Sequence, residues 1–284
     1  MLKAYKRYLS FLMILAGFLY YGVFVEPNQI IVKTVSIRDD TLFRAWKDIR
    51  IVQLSDLHIS RLGPREKKVV SEVSRIRPDL ICITGDLAQW DASNNDVMEF
   101  LDSLHATYGV FIVLGDADMS IGRGRCSYCH VNGNIYEFRK KPVFLRNRLF
   151  RLKLNMDGSL YVLGLSPNLD AETFGDLWKN IRKDIPVQSP VLVLSHFSSL
   201  WDMVLPNDHV LWLSGDTHGG QVALPSLVWP LFFGGKDFRH LRGLYGSGSG
   251  KWLYVNQGIG TTLKFPIRIG VLPEITLFSF APAK

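Results

Sequence analysis

Five short stretches carry the residue types that bind and activate phosphorylated groups. They are SDLH at 55–58, TGDL at 84–87, LGDAD at 114–118, LSHF at 194–197 and GDTHGGQ at 215–221. Together they supply Asp56, His58, Asp86, Asp116, His196, Asp216 and His218. Carboxylates and imidazoles with no cysteine among them suit Mn²⁺, Fe, Zn²⁺ or Mg²⁺. Seven side chains exceed what one ion takes from protein. They fit two ions that share a carboxylate and lie roughly 3.5–4 Å apart. Such a pair lowers the pKa of water and holds the oxygens of a phosphoryl group, which is the chemistry of phosphoester hydrolysis. Gly85, Gly115, Gly215, Gly219 and Gly220 supply the sharp turns that bring backbone close to such a site.

These residues need strands to hold them, and the sequence provides candidates. Apolar runs at 49–54, 80–84, 110–114, 191–194 and 210–213 read as strands, each leading into one of the five motifs. In open α/β sheets, ligands bind in the crevice beyond the carboxyl ends of the strands. Further strands are expected at 144–145, 150–154, 161–165, 252–255 and 275–280, with helices at 65–75, 97–104 and 172–182. Pro64 stands near the start of the first of these helices and Pro78 closes it.

The 284 residues carry a net charge of +7, and nearly half are hydrophobic. This is a folded α/β chain with an ample core, and its basic balance suits an anionic neighbour. No basic-aromatic repeat or RNA-binding signature appears, so nucleic acid is not expected as a partner. The amino-terminal segment differs in kind. Lys3, Lys6 and Arg7 precede an uncharged run from Tyr8 to Val25 that Glu26-Pro27 ends. As a helix this run is about 27 Å long at 1.5 Å per residue, close to the hydrocarbon thickness of a bilayer. With no small-x-small cleavage pattern after it, residues 1–26 read as a retained membrane anchor and 27–284 as a single domain. A full span places the domain outside the cytoplasm; a shallow interfacial helix keeps it inside.

Cys82 lies in an apolar stretch and reads as core. Cys126, Cys129 and His130 form CxxCH, a spacing open to zinc, a disulfide, haem attachment or a plain loop thiol pair.

DxH, GD, a G-x-x-D turn, an isolated His and G-x-x-H-G-G-Q, in that order, resemble the calcineurin-like metallophosphoesterase superfamily. The likeness runs from about Ile49 to the carboxyl terminus and includes Val255-Asn256-Gln257-Gly258-Ile259-Gly260 and Pro273-Glu274-Ile275-Thr276. It is strongest to a membrane-anchored bacterial branch with similar NxGIG and PEIT stretches, which implies an inner-membrane location. The resemblance implies a four-layer α/β/β/α sandwich with metals at the strand ends. Carried over by position, Asp56, His58, Asp86 and His218 would hold one ion. Asp86, Asp116, His196 and Asp216 would hold the other, with Asp86 bridging.

Two positions depart from the family pattern. GNH[DE] is here Gly115-Asp116-Ala117-Asp118, and G-H-x-H is Gly215-Asp216-Thr217-His218. Both ligand changes put an anion where the family has a neutral group. Four carboxylates facing two ions favour Mn²⁺ or Mg²⁺ over zinc. Each swap keeps a group able to coordinate, which points to an active site rather than a decayed one. The His that protonates the leaving oxygen in the family is Ala117. General acid catalysis is worth roughly 10²–10⁴-fold and matters most for poor leaving groups. Its loss fits a pyrophosphate or activated diester, such as the lipid-linked UDP-2,3-diacylglucosamine of lipid A synthesis, which a pyrophosphatase of this superfamily cleaves at a membrane.

Asp86, Asp116 and Asp118 are thus the candidate catalytic residues, with Asp118 orienting a ligand or water, or capping the following turn. Arg123, Arg125 and Asn168 are candidates for contacting substrate. Trp229, Phe232, Phe233 and Phe238, with Lys236, Arg239 and Arg242, form an apolar-basic stretch suited to acyl chains and headgroups, or to core and loop. Two alternatives stand beside the lipid pyrophosphatase: a broad-specificity phosphodiesterase of the same family, and a non-catalytic scaffold with a degenerate metal site.

Overall fold

Strands apolar on both faces need cover on both faces, and this demand organises the molecule. The computed structural model describes residues 2–119, 141–154, 158–224, 239–246, 250–262 and 265–283. The first half comprises α1 (Leu2–Tyr20), β1 (Ile31–Arg38), α2 (Asp40–Trp46), β2 (Ile51–Leu54), α3 (Pro64–Ile76), β3 (Leu80–Thr84), α4 (Asn94–Asp102) and β4 (Val110–Val113). The second half comprises β5 (Val143–Phe144), β6 (Arg148–Lys153), β7 (Ser159–Gly164), α5 (Ala171–Lys183), β8 (Val191–Leu194), β9 (Val210–Ser214), β10 (Gly243–Gly246), β11 (Lys251–Val255) and β12 (Glu274–Ala281).

The strands form two sheets, ordered β1-β12-β2-β3-β4-β5 and β10-β11-β9-β8-β7-β6. Strands β2 to β5 run parallel, as do β7, β8, β9 and β11. The carboxyl ends of the motif-bearing strands therefore gather at one edge of each sheet. Side-chain alternation divides the burial. In β3, Leu80 and Cys82 face the other sheet, while Ile81 and Ile83 face Val69, Val73, Val97 and Phe100 of α3 and α4. In the second sheet, Leu192, Leu194, Leu211 and Leu213 meet the first sheet. Val193 and Trp212 face Phe174 and Trp178 of α5. The result is the expected α/β/β/α order of layers, with Cys82 in the core.

Local sequence accounts for the helix limits. α3 begins with Pro64 after Gly63, and the Glu66 carboxylate accepts from the Gly63 amide at 2.9 Å. It ends where Arg77 turns left-handed, with φ 53°, before Pro78. The expected strands at 144–145 and 150–154 lie one to two residues earlier, at 143–144 and 148–153. Three elements were not anticipated: β1, α2 and β10. β1 lies at a sheet edge with Lys33 and Ser36 among its apolar residues. α2 is seven residues long and depends on its cap, Asp39, which accepts from the amides of Thr41 and Leu42 at 2.9 Å. Neither produces a strong periodic signal.

α1 is exposed and apolar around its circumference; the stretch Tyr5–Asn28 is long and apolar enough to cross a membrane. Arg123, Arg125, the CxxCH residues, and Trp229, Phe232, Phe233, Lys236 and Phe238 lie outside the described residues.

The two sheets approach closely at Gly164 of β7. A Cβ there would stand 2.2 Å from Leu145 Cβ and 2.9 Å from Val113 Cγ1. Gly164→Val is therefore expected to destabilise the fold by about 1–3 kcal/mol, read from urea unfolding.

Candidate metal centre

Each candidate ligand sits just beyond a strand end, where the chain turns sharply. Asp56 (φ 47°), His58 (φ 42°), Asp86 (φ 52°), Asp216 (φ 70°) and His218 (φ 51°) all adopt the left-handed conformation. That backbone costs a residue other than glycine roughly 1–3 kcal/mol and persists where neighbours over-determine it. Here the strand-end loops hold one another. The Asp56 amide donates to the Gly85 carbonyl at 3.1 Å, and the His58 amide to the Asp86 carbonyl at 2.9 Å. Asp216 ties the second sheet to the first by donating its amide to Asp56 Oδ1 at 3.0 Å. Two glycines make the approach possible. A Cβ on Gly115 would fall 2.1 Å from Asp86 Oδ1, and one on Gly215 would fall 2.4 Å from Asp56 Oδ2.

The side chains converge into two groups that share Asp86. Asp56, His58, Asp86 and His218 offer donor atoms all within 4.8 Å of one another, and so do Asp86, Asp116 and His196. In the first group the Nε2 atoms of His58 and His218 face each other at 3.1 Å. Asp86 Oδ2 is 3.3 Å from His58 Nε2, and Asp56 Oδ1 is 3.6 Å from His218 Nε2. Two imidazole nitrogens bound to one cation at about 2.0–2.1 Å would be separated by roughly this distance. In the second group His196 Nε2 lies 3.2 Å from Asp116 Oδ1 and 3.5 Å from Asp86 Oδ1. Asp216 falls outside this tight group, with its Oδ1 at 4.0 Å from His196 Nε2.

Further observations fit cations. Asp56 is fully buried, and its Oδ2 has no hydrogen-bond partner among the described residues. A buried carboxylate with a bare oxygen is costly unless positive charge stands close. The imidazoles are also oriented from behind. His196 Nδ1 lies 2.9 Å from the Thr84 carbonyl, and His218 Nδ1 lies 3.3 Å from the Gly260 carbonyl. Protons on those Nδ1 atoms leave each Nε2 as a lone-pair donor into the cluster.

The electrostatics follow from burial and crowding. Burial raises Asp56 to about 6, with Asp86 adding repulsion and His196 opposing it. Burial also resists ionisation of Asp86, but His196 and then His58 outweigh it and hold this carboxyl well below the usual range. His196 is itself held well above an ordinary imidazole, since Asp86, Asp116, Asp56 and Asp216 together overcome its burial. His218 goes the other way: burial, then His58 and Arg268, keep it well below its ordinary value. The cluster is thus an anion-rich pocket with one imidazole held neutral, the form that ligates metal.

Asp118 does not face the pocket as a free acid. It is fully buried, and its carboxylate accepts from the Leu87 amide and the Gly115 amide, both at 2.9 Å. Burial and the charge of Asp86 raise it to about 7. It fastens the loop after β3 to the loop after β4, which orients Asp86 and Asp116 indirectly. Asn168 is exposed in the loop after β7, and among the described residues no hydrogen bond joins it to the cluster. Arg268 was missed by sequence reasoning. Its guanidinium is fully buried, and it donates to the carbonyls of Gln257, Gly258, Gly260 and Val271. Burial lowers it to about 10, so it stays charged at neutral pH. Its signal in the sequence is one charge between Ile267 and Ile269.

Paired ligand groups at the joined strand ends of two sheets define a class of metal-dependent phosphoester hydrolases. The family model for calcineurin-like phosphoesterases matches residues 49–220, more than half of the chain, and the protein belongs to that family. It is similar to an uncharacterized metallophosphoesterase, YkuE, of Bacillus subtilis, at 28% identity covering 91% of this chain and 88% of that protein. The UDP-2,3-diacylglucosamine pyrophosphatase LpxG of Chlamydia trachomatis is 28% identical, covering 89% and 90%. The phosphodiesterase YaeI of Escherichia coli is 28% identical, covering 80% of each chain. The chain is a hydrolase of the metallophosphoesterase type, and its family uses a dinuclear divalent centre.

A ligand bound only by the folded state stabilises it, by about 2.7 kcal/mol at a hundredfold excess over Kd. Mn²⁺ is expected to raise the melting temperature of chelator-treated protein, and Asp86→Ala to abolish most of that rise in a thermal-shift measurement.

Proposed function

We propose that the protein is a membrane-anchored two-metal phosphohydrolase that cleaves a pyrophosphate or activated diester bond in a lipid-linked substrate. UDP-2,3-diacylglucosamine, yielding UMP and the acylated sugar phosphate, is the specific reading. The observation that carries it is Asp86 shared between two ligand groups, with alanine at the family's proton-donor position. Asp56, His58, Asp86 and His218 would hold one ion; Asp86, Asp116 and His196, with Asp216 beside them, would hold the other. Mn²⁺ suits this carboxylate-rich set best. Two divalent ions would supply hydroxide near neutral pH and offset the charge of a phosphoryl group in flight.

The chain's own groups divide the remaining work. Asp86 keeps both ligand groups in one geometry, its Oδ1 accepting from the Ala117 amide at 3.0 Å. Asp116 is largely exposed at the mouth, where an incoming phosphoryl group meets it first. Ala117 brings no proton to the departing oxygen. A phosphate leaving group tolerates that, whereas an alkoxide does not. The exposed apolar helix and the basic charge support an anionic membrane surface as the protein's neighbour. Residues 1–26 act as the anchor and 27–284 as the catalytic domain. The name of the Escherichia coli relative favours a second reading, a phosphodiesterase of broader specificity.

The test is release of UMP from UDP-2,3-diacylglucosamine in mixed micelles with Mn²⁺ supplied, run beside a panel of phosphoesters. Asp86→Ala is expected to lower turnover by more than about 10²-fold, since even groups behind the ligands are worth 10–100-fold. No turnover of any phosphoester with Mn²⁺, Mg²⁺ or Zn²⁺ would sink the proposal. Ala117→His is expected to raise hydrolysis of an alkyl phosphoester by about tenfold or more while leaving pyrophosphate cleavage nearly unchanged. Equal effects on both substrates would refute the leaving-group argument.

A further inference from the structure

The last turn of the apolar helix is seated on the metal-bearing domain rather than tethered to it. Residues Tyr21–Val25 form a π-helical turn, in which the Glu26 amide reaches back to the Tyr21 carbonyl. The Gly22 carbonyl, which an α-helix would pair with that amide, is left over. It accepts instead from the Arg268 amide at 2.9 Å. Gly22 is buried, and a Cβ on it would stand 2.9 Å from Ile269 Cγ1 and 3.2 Å from the Arg268 carbonyl. Only glycine allows so close an approach. Glu26 makes the second attachment: it is buried, and its Oε1 accepts from the Val271 amide at 2.9 Å. The helix end therefore grips the 268–271 segment on both sides of Arg268's side chain.

Arg268 carries the connection inward. Its Nη2 donates to the Gly260 carbonyl at 2.6 Å and to the Gln257 carbonyl at 2.9 Å, and its Nη1 to the Val271 carbonyl at 3.1 Å. That Gly260 carbonyl is also the acceptor facing His218 Nδ1. The Gly260 amide donates to the Asp56 carbonyl at 2.7 Å, and the Ile259 amide to the Ser55 carbonyl at 3.0 Å. Two of the four members of the first ligand group are thus oriented by a loop that Arg268 holds. Arg268 is in turn held by the anchor helix.

We propose that Glu26, Gly22 and Arg268 are positioning residues for the metal centre, so that seating of the membrane helix sets how tightly the first ligand group holds a divalent cation. This rests on the two-metal reading, and it adds that the anchor is a working part of the site. The groups act through backbone carbonyls and touch neither ion nor substrate.

The test measures Mn²⁺ affinity of the 284-residue protein in detergent micelles after chelator treatment, by the free-Mn²⁺ spin-resonance signal. Glu26→Ala removes the acceptor and is expected to weaken Mn²⁺ binding by about tenfold, the scale of losses behind metal ligands. Glu26→Gln keeps an acceptor oxygen and should stay within about twofold of the parent. Phe24→Ala, on the exposed face of the same turn, should bind as the parent does. Should Glu26→Ala fail to fold, Gly22→Ala and Arg268→Lys are read in its place, with the same expected loss. Affinity unchanged in the folded variants, or Glu26→Gln as weak as Glu26→Ala, overturns the proposal. Parent protein that binds Mn²⁺ yet hydrolyses no phosphoester overturns the hydrolase reading alone and leaves this comparison of affinities standing.

Discussion

Everything in this molecule answers to the crowding of Asp56, Asp86, Asp116 and Asp216 around three imidazoles. Bringing that much negative charge into a partly buried space opposes folding, and only opposite charge close at hand makes it tolerable. Asp86 shows how the balance is struck. Its carboxylate stands between His58 on one side and His196 on the other, and stays ionised despite being buried. Asp56, deeper and with one oxygen unpartnered among the described residues, is pushed toward its neutral form. A pocket with these opposed tendencies is more comfortable with cations in it than without them.

Such a pocket needs a stiff frame, and two parallel-rich sheets provide one. Each ligand follows a strand buried on both faces, so its backbone can shift little. Left-handed conformations at five ligand residues add strain that the frame absorbs. Backbone hydrogen bonds then stitch loop to loop across the gap between the sheets. Asp118 belongs to this stitching: its two amide partners lie on different strand-end loops, and each of its oxygens accepts one of them. The same logic extends to the apolar amino-terminal helix. Its π-helical end frees a carbonyl for the segment whose arginine braces the loop behind His218.

Much of this was legible beforehand. The runs 80–84 and 191–194 are strands over the very residues read from the sequence, because short apolar runs bounded by turn residues have few other solutions. The seven ligand candidates stood out because Asp and His follow five such runs directly. Shorter or edge elements were not legible. β1 and β10 lie at sheet edges, and α2 is held by its Asp39 cap more than by any apolar stripe. Arg268 was invisible for a related reason. A single arginine in a loop reads as a solvated side chain until the carbonyls around it are seen.

The sequence by itself determined the chemistry available: which acids and imidazoles exist, that they follow buried strands, and that alanine replaces a proton donor at 117. It also determined that a helix near the amino terminus is apolar all round. Only the tertiary structure decided that β2, β3 and β4 belong to one sheet and β8 and β9 to another, with β12 inserted between β1 and β2. It also decided that Asp216 stands aside from the tighter ligand group, and that Glu26 meets Val271. These are contacts between residues as many as 245 positions apart. Local pattern fixes which face of an element is apolar, but not its partner. Partnership is settled when distant loops close and packing selects one register, and that selection is a property of the whole fold.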